Sequence, residues 1–373
     1  MAQQHKFYAI VLPGLEKLAA EELRSLSAHD IDIEYGGINF TGTMQLLYRV
    51  NLRSRIITRV LMRLRTFRSM TLEGLRYDLE KVAWHLFLDQ NSTLEVQVNS
   101  KQSRLNHSDE IAAFSKQTLQ RILPKLGSTK DKKHIQTLHI RIENNRGILS
   151  IDTSGERLDR RGYRLESGKA PLRETLAAAI LQWTNWQPEQ SLVVPMCGSG
   201  TFVIEAAMLA KQQAPNIKHD FSFLHWPSFK DKEFNKVVER SQAMEKDVST
   251  HLIASDLHEG AVEICQSNAK RAGLEKMIAV SKLDVHHLIK PESIHGGILL
   301  LNPPYGQRIG EQQKILSLWH DLGNIIREKF GDDETWKAVI VCPDSACEKA
   351  LNLNVKRRLH ITHGGSNAMV LEA

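Results

Sequence analysis

The chain has 373 residues, 42% hydrophobic and 25% charged, with a formal net charge of +6 at pH 7. That is the composition of a soluble globular protein too long for one ordinary core, so two or three domains are expected. No apolar run approaches the roughly eighteen residues of a membrane span, Met1 to Lys6 does not read as a secretory signal, and Cys197, Cys265, Cys342 and Cys347 include no C-x-x-C pair; no membrane, reduced thiols, no metal and a cytoplasmic location are therefore expected.

Charge is unevenly spread. Residues 1–170 hold 27 Lys and Arg against 19 Asp and Glu, and the remainder hold 22 against 24. The basic excess lies in the first half, as in a nucleic-acid-binding half joined to a more neutral one.

In chain order, Phe7 to Val11 reads as a strand, and Pro13-Gly14 turns it into a helix over Leu15 to Leu26. Ile31 to Tyr35 and Ile38 to Phe40 read as strands about Gly36-Gly37. Thr43 to Leu64 is helical and then extended, and it is laced with arginines, including Arg53, Arg55, Arg59 and Arg63. These are candidates for RNA phosphate contacts, because each neutralised phosphate releases counterions; a solvated charged face is the alternative. A loop and helix follow from Leu72, then a strand over Thr93 to Val98, a helix over His107 to Leu123, and a hairpin of His139 to Glu143 with Gly147 to Thr153. A basic loop with Lys132 and Lys133 precedes that hairpin. Residues 157–170, with Arg160 and Arg161, are polar and punctuated by glycine, and read as a linker.

The second half opens with Pro171-Leu172-Arg173-Glu174-Thr175 and a helix to Trp183, where proline and a carboxylate suit the first turn. Ser191 to Val194 is a buried-strand pattern that runs through Pro195-Met196-Cys197-Gly198-Ser199-Gly200-Thr201 into the helix Phe202 to Lys211. Strand, glycine turn and helix make a nucleotide crevice. The spacing is neither the dinucleotide fingerprint nor a P-loop, which disfavours NAD and ATP. A second strand, Leu252 to Ser255, ends in Asp256, placed for ribose hydroxyls; a third, Ile278 to Ser281, precedes Asp284, placed for an adenine amine. Each acid alone is more often a helix cap. Pro215 to Val248, between the first of these helices and the second strand, reads as a surface insertion or one wall of a base pocket.

Leu299-Leu300-Leu301 is a buried strand that Asn302-Pro303-Pro304-Tyr305-Gly306 must end, since proline gives no N–H to a ladder. The Asn302 amide oxygen and the Pro303 carbonyl are two acceptors with no base beside them, Pro304 stiffens the backbone, and Tyr305 offers a ring for stacking. The set suits the exocyclic NH2 of a planar base that has left its helix or is single-stranded. A helix over Gln312 to Phe330 and strands over Lys337 to Cys342, Val355 to Ile361 and Ala368 to Leu371 complete a seven-stranded sheet.

Pro195 to Thr201 and Asn302 to Gly306 resemble motifs I and IV of class I S-adenosylmethionine-dependent amino-methyltransferases. Arg161-Gly162-Tyr163-Arg164 and Ala170 to Ala178 are similar to the junction of the THUMP-containing guanine-N2 RNA methyltransferases. The resemblance covers nearly the whole chain. It implies a Rossmann-like seven-stranded α/β methyltransferase domain at 171–373, preceded by an α+β region comprising a ferredoxin-like domain at 1–64 and a THUMP RNA-binding domain at 65–156. It implies S-adenosylmethionine as cofactor and structured RNA as partner, with 23S rRNA the expected substrate. Met196, Gly198, Gly200 and Thr201 would meet the methionine end of the cofactor, with Arg173 to Thr175 beneath it. Asp256 would meet the ribose, Asp284 the adenine, and Asn302, Pro303, Pro304 and Tyr305 the target base. The family's motif I usually opens with an acid where this chain has Val194, and Glu205, one turn into the following helix, is the candidate replacement. A tRNA guanine, an adenine N6 amine and a catalytically silent RNA-binding or assembly role stay open at this point.

Overall fold

A computed structural model describes residues 3–129, 134–165, 172–292, 295–304, 312–363 and 366–373. They group into two compact units: Met1–Val11, Ala20–Leu158 and Asn216–Arg240 in the first; Leu12–Ala19, Asp159–Pro215 and Ser241–Ala373 in the second.

Among the described residues the α-helices and strands up to Asp152 are β1 (His5–Ile10), α1 (Glu16–Ser25), β2 (His29–Glu34), β3 (Gly37–Gly42), α2 (Met44–Arg53), β4 (Arg59–Arg68), α3 (Leu72–Glu80), β5 (Ser92–Lys101), α4 (Ser108–Ile122), β6 (His134–Glu143) and β7 (Arg146–Asp152). Their strands form one seven-stranded sheet in the order β2-β3-β1-β4-β7-β6-β5. The boundary expected at residue 64 falls inside β4, which pairs with β1 on one flank and β7 on the other. β5 and β6 run parallel, which requires a crossover, and α4 supplies it. Thr43 and Thr71 start α2 and α3 by accepting the amides of Leu46 and Gly74 on their side chains.

The second unit contains α5 (Glu174–Trp183), β8 (Ser191–Pro195), α6 (Thr201–Ala210), β9 (Leu252–Asp256), α8 (Glu259–Ala272), β10 (Ile278–Lys282), β11 (Gly297–Leu301), α9 (Gln312–Phe330), β12 (Trp336–Cys342), α10 (Ser345–Leu351), β13 (Arg357–His363) and β14 (Ser366–Glu372); α7 (Asp231–Gln242) precedes β9 in the chain. Its sheet runs β10-β9-β8-β11-β12-β14-β13, parallel except for the closing hairpin. Residues of β8 and β11 are buried throughout, as central parallel strands covered on both faces must be. The order reverses between β8 and β11, and a crevice opens beyond the carboxyl ends of strands at such a switch point.

The segment Asn216–Arg240 contributes to the core of the first unit. Phe223 is fully buried, with its ring centroid 4.9 Å from Tyr48, 5.0 Å from Phe221 and 5.5 Å from Phe234. Trp226 donates its ring N–H to Oε1 of the buried Gln136 at 2.9 Å, and the Asn216 side chain donates to the Asn51 and Ser54 carbonyls at 2.8 and 3.1 Å. Polar groups buried this way would cost free energy if left unpaired, so the segment is held in register as well as packed. Phe223→Ala is expected to destabilise the protein by about 3–5 kcal/mol, the usual cost of deleting a buried ring; chemical denaturation checks it, and a loss below ~1 kcal/mol would show that the ring is not a core element.

Candidate active site

β8 and β11 pair with Gly297 opposite Ser191 and Leu299 opposite Val193. That register brings the loop after Pro195 and the residues after Leu301 to the same edge of the sheet. The glycine loop and the Asn-Pro-Pro stretch, far apart in sequence, therefore flank one crevice.

The loop is built from left-handed turns. Met196, Gly198 and Gly200 have φ of 57°, 53° and 80°. Gly200 begins α6, and a Cβ there would sit 2.4 Å from the Cys265 sulfur on α8, so only glycine lets loop and helix close. A Cβ on Gly198 would meet nothing within 4 Å. The loop's outer turn is thus open to a ligand while its inner turn is packed.

Neighbouring strands fix the loop. The Cys197 amide donates to the Ser255 carbonyl at 2.9 Å, and the Gly198 amide donates to Asp256 Oδ2 at 3.1 Å. Asp256 Oδ1 accepts from the His258 amide at 3.0 Å. Asn268, on α8, donates to the Ser199 carbonyl at 2.9 Å, a contact with no signal in the sequence beyond an asparagine inside a helix. The adjoining Cys265 and burial push the Cys197 thiol up, which leaves it a neutral packing group.

Other expected site residues fall in distinct places. Asn302 is half-buried, Pro303 buried and Pro304 exposed; Tyr305 lies outside the described residues. Thr201 and Thr175 are buried at the starts of α6 and α5, and Arg173 is the residue on which α5 begins. Asp284 is half-buried and accepts from the His286 amide at 3.0 Å and from its Nδ1 at 2.7 Å, bonds that hold its carboxyl below the ordinary range. Glu205 is buried, accepts from the Tyr163 hydroxyl at 3.2 Å and lies 3.5 Å from the Arg161 guanidinium. Arg161, expected to contact RNA from a polar linker, is instead buried with it, as are Asp159 and Tyr163 of the same stretch. Both Arg161 and Tyr163 turn inward onto Glu205, which the polar, glycine-punctuated sequence disguises.

Two of the expected arginines of the first unit, Arg59 and Arg63, are likewise engaged by the chain itself. Arg59 pairs with Asp152 and donates to the Gly155 carbonyl at 2.7 Å, while Arg63 stacks 4.2 Å from the Tyr8 ring. Arg53 closes α2, and the Arg55 amide donates to Glu22 at 2.7 Å. Arg160, at the start of the second unit, is exposed. Lys132 and Lys133 lie outside the described residues.

Burial pushes Glu174, at the start of α5, up to about 7, although Arg164 donates to its Oε2 at 3.0 Å. Desolvation outweighs the partner's pull. Between the unperturbed 4.5 and about 7 the folded chain then binds more protons than the unfolded chain at this site, so stability falls as pH rises through that window and levels off above it. The unfolding temperature of the wild type, measured relative to Glu174→Gln, is expected to drop from pH 4.5 to 7; a difference independent of pH would contradict this.

Three things make the crevice a fit for S-adenosylmethionine: open space over Gly198, backbone amides at the start of α6, and a carboxylate at the end of β9. Among the described residues no group of His, Cys, Asp or Glu could hold a metal ion, and no helix is long and apolar enough to cross a membrane.

The sheet order and this crevice define a class I methyltransferase, and comparison with known proteins agrees. Residues 161–370 match the family model of the RMKL-like methyltransferase domain (UPF0020), and residues 6–61 match that of the RlmL ferredoxin-like domain. The chain belongs to the RMKL-like methyltransferase family. It is 33% identical, over all of its length and 97% of the relative's, to a Synechocystis sp. protein named "Putative RNA methyltransferase slr0064". It is 32% identical over 87% of its length to ribosomal RNA large subunit methyltransferase K/L of Aliivibrio salmonicida, but spans only 48% of that protein. Among solved structures, that of SMU.472, described as "a putative methyltransferase complexed with SAH", superposes over 100% of this chain and 98% of its own with a TM-score of 0.88 at 27% identity.

Proposed function

We propose that the chain transfers the methyl group of S-adenosylmethionine to the exocyclic N2 amine of a guanine in structured RNA, with 23S rRNA the expected substrate. The observation that carries this reading is the β8–β11 register, which sets the glycine loop beside Asn302 and Pro303 at one switch point. The RNA named for the Synechocystis and Aliivibrio relatives supports the substrate class.

When bound, the cofactor supplies a methyl group on a positively charged sulfur, already a good leaving group. The chain's own task is positioning. Gly198 and the first turn of α6 receive the amino-acid end, and Asp256 the ribose. Asn302 Oδ1 and the Pro303 carbonyl would accept the two amine hydrogens and so orient the amine; Tyr305, outside the described residues, is the ring the sequence offers for stacking. Neither Asn302 nor Pro303 carries a base, so the amine proton would leave to water.

Labelled S-adenosylmethionine offered separately with protein-free 23S rRNA, bulk tRNA and duplex DNA, followed by digestion to nucleosides, tests the proposal. N2-methylguanosine in rRNA is the expected product. The same nucleoside in tRNA alone would move the substrate, N6-methyladenine would overturn the choice of base, and no transfer to any of the three would favour a silent RNA-binding role.

A further inference from the structure

Ser199 lies between two glycines of positive φ, Gly198 at 53° and Gly200 at 80°. Glycine restricts its own torsions least, so the local backbone does little to fix how the peptide between Ser199 and Gly200 is turned. That peptide leads straight into the first turn of α6. Its carbonyl is held from outside the loop by Asn268, which is fully buried in α8 and donates to it at 2.9 Å.

A side-chain amide can turn either its oxygen or its nitrogen towards a partner. Here a neighbour decides, because Arg271, on the same helix, donates from its guanidinium to Asn268 Oδ1. A guanidinium has donors and no acceptor, so Oδ1 must face it and Nδ2 is left to face Ser199. Arg271 is held in turn by the junction between the two halves of the sequence, its Nε donating to the Tyr163 carbonyl at 2.9 Å. Tyr163 is itself fixed, since its buried hydroxyl donates to Glu205 at 3.2 Å and Glu205 lies 3.5 Å from Arg161. All of these residues belong to the second unit. The bonds form one chain, from the junction through α8 to the glycine loop.

We infer that Asn268 and Arg271 are positioning residues for S-adenosylmethionine, which set the Ser199–Gly200 peptide so that the amides at the start of α6 face the amino-acid end of the cofactor. Neither side chain needs to touch the ligand. The stretch from Arg161 to Tyr163 then serves the cofactor site as the far anchor of this chain of bonds, beyond joining two domains. The inference rests on the assignment of the loop and α6 to the amino-acid end, and adds to it the residues that hold the loop in shape. A pair that only stabilised α8 would affect every part of the ligand alike, whereas the loop meets one end of it.

The test compares two ligands by calorimetry on the full chain: S-adenosylhomocysteine, and 5′-methylthioadenosine, which keeps the adenosine and the thioether but lacks the amino-acid end. Asn268→Leu, close in shape and without a donor, is expected to bind S-adenosylhomocysteine about tenfold more weakly, the usual size of effect when a buried carbonyl loses its partner. Its affinity for 5′-methylthioadenosine should change by no more than about twofold, because that ligand does not reach the loop amides. Arg271→Lys keeps the charge but loses the planar fork that serves Tyr163 and Asn268 together, and should show the same selective loss at roughly threefold. Arg271 is only half-buried, so this variant still decides the matter if Asn268→Leu fails to fold. Equal weakening of both ligands would reduce the pair to structural support and overturn the proposal, as would wild-type affinity for S-adenosylhomocysteine in the variants. A wild type that binds neither ligand, or both alike, would overturn the assignment of the loop to the amino-acid end together with it.

Discussion

Asn302→Ala is expected to slow methyl transfer by about 100- to 1000-fold while S-adenosylmethionine and RNA affinities change by no more than a few fold. The size follows from removing one preorganised hydrogen-bond partner from a reacting group. The split between rate and affinity follows from position: Asn302 comes directly after the buried Leu301, at the end of a strand held on both flanks, so its truncation leaves crevice and sheet in place. Asn302→Asp keeps an acceptor oxygen at the same point and should retain more activity than the alanine variant. Single-turnover rates with saturating cofactor measure the effect. Equal rates for wild type and Asn302→Ala would remove the amine-orienting role from this residue, and with it the reason for placing the target base beside Pro303.

Alanine at Gly198 and at Gly200 should fail in different ways. Both glycines have positive φ, which costs an L-residue roughly 1–2 kcal/mol. At Gly200 the new methyl would also lie 2.4 Å from the sulfur and 3.5 Å from the Cα of Cys265, and that cysteine is fully buried in α8, so the loop must shift away. Gly200→Ala is therefore expected to lower both the unfolding temperature and cofactor affinity, the latter more than tenfold. At Gly198 the methyl enters open space, the space assigned to the cofactor. Gly198→Ala should lose affinity of similar size with little more than the backbone cost in stability. Thermal unfolding with and without S-adenosylmethionine separates the two cases, because a ligand raises stability only in proportion to its binding. If Gly198→Ala bound the cofactor as tightly as wild type, the ligand would have to approach from elsewhere.

Much of this architecture can be read from local pattern. The runs Leu192 to Val194 and Ile298 to Leu301 are apolar without alternation, as only strands covered on both faces are, and the helix over Gln312 to Phe330 matches its expected bounds. Thr201 to Ala210, buried almost throughout, follows the glycine loop as expected. What stays hidden depends on contacts distant in sequence. The aromatic residues of Asn216–Arg240 look like an insertion because their partners, Tyr48 and Gln136, lie far earlier in the chain. The extra residue in β4 reverses the facing of its arginines, and nothing local in Arg63-Leu64-Arg65 marks it. Arg161 and Glu205 look like an RNA contact and a cofactor acid until the fold buries them together. The helix α10 escapes a reading by pattern for a different reason: its few residues give no clear period, although Asp344, accepting from the Cys347 amide at 2.9 Å, is an ordinary capping signal.

Val194 bears most directly on whether the crevice between β8 and β11 holds S-adenosylmethionine. It is buried at the position where the family usually has an acid, and Glu205 is committed to Tyr163 and Arg161. The remaining holders are the loop amides, the start of α6 and Asp256. Titrating S-adenosylmethionine into the wild-type chain by calorimetry tests whether they suffice. Saturable binding at one site per chain, weakened at least tenfold by Gly198→Ala, is the expected result. No detectable binding at millimolar cofactor would contradict it.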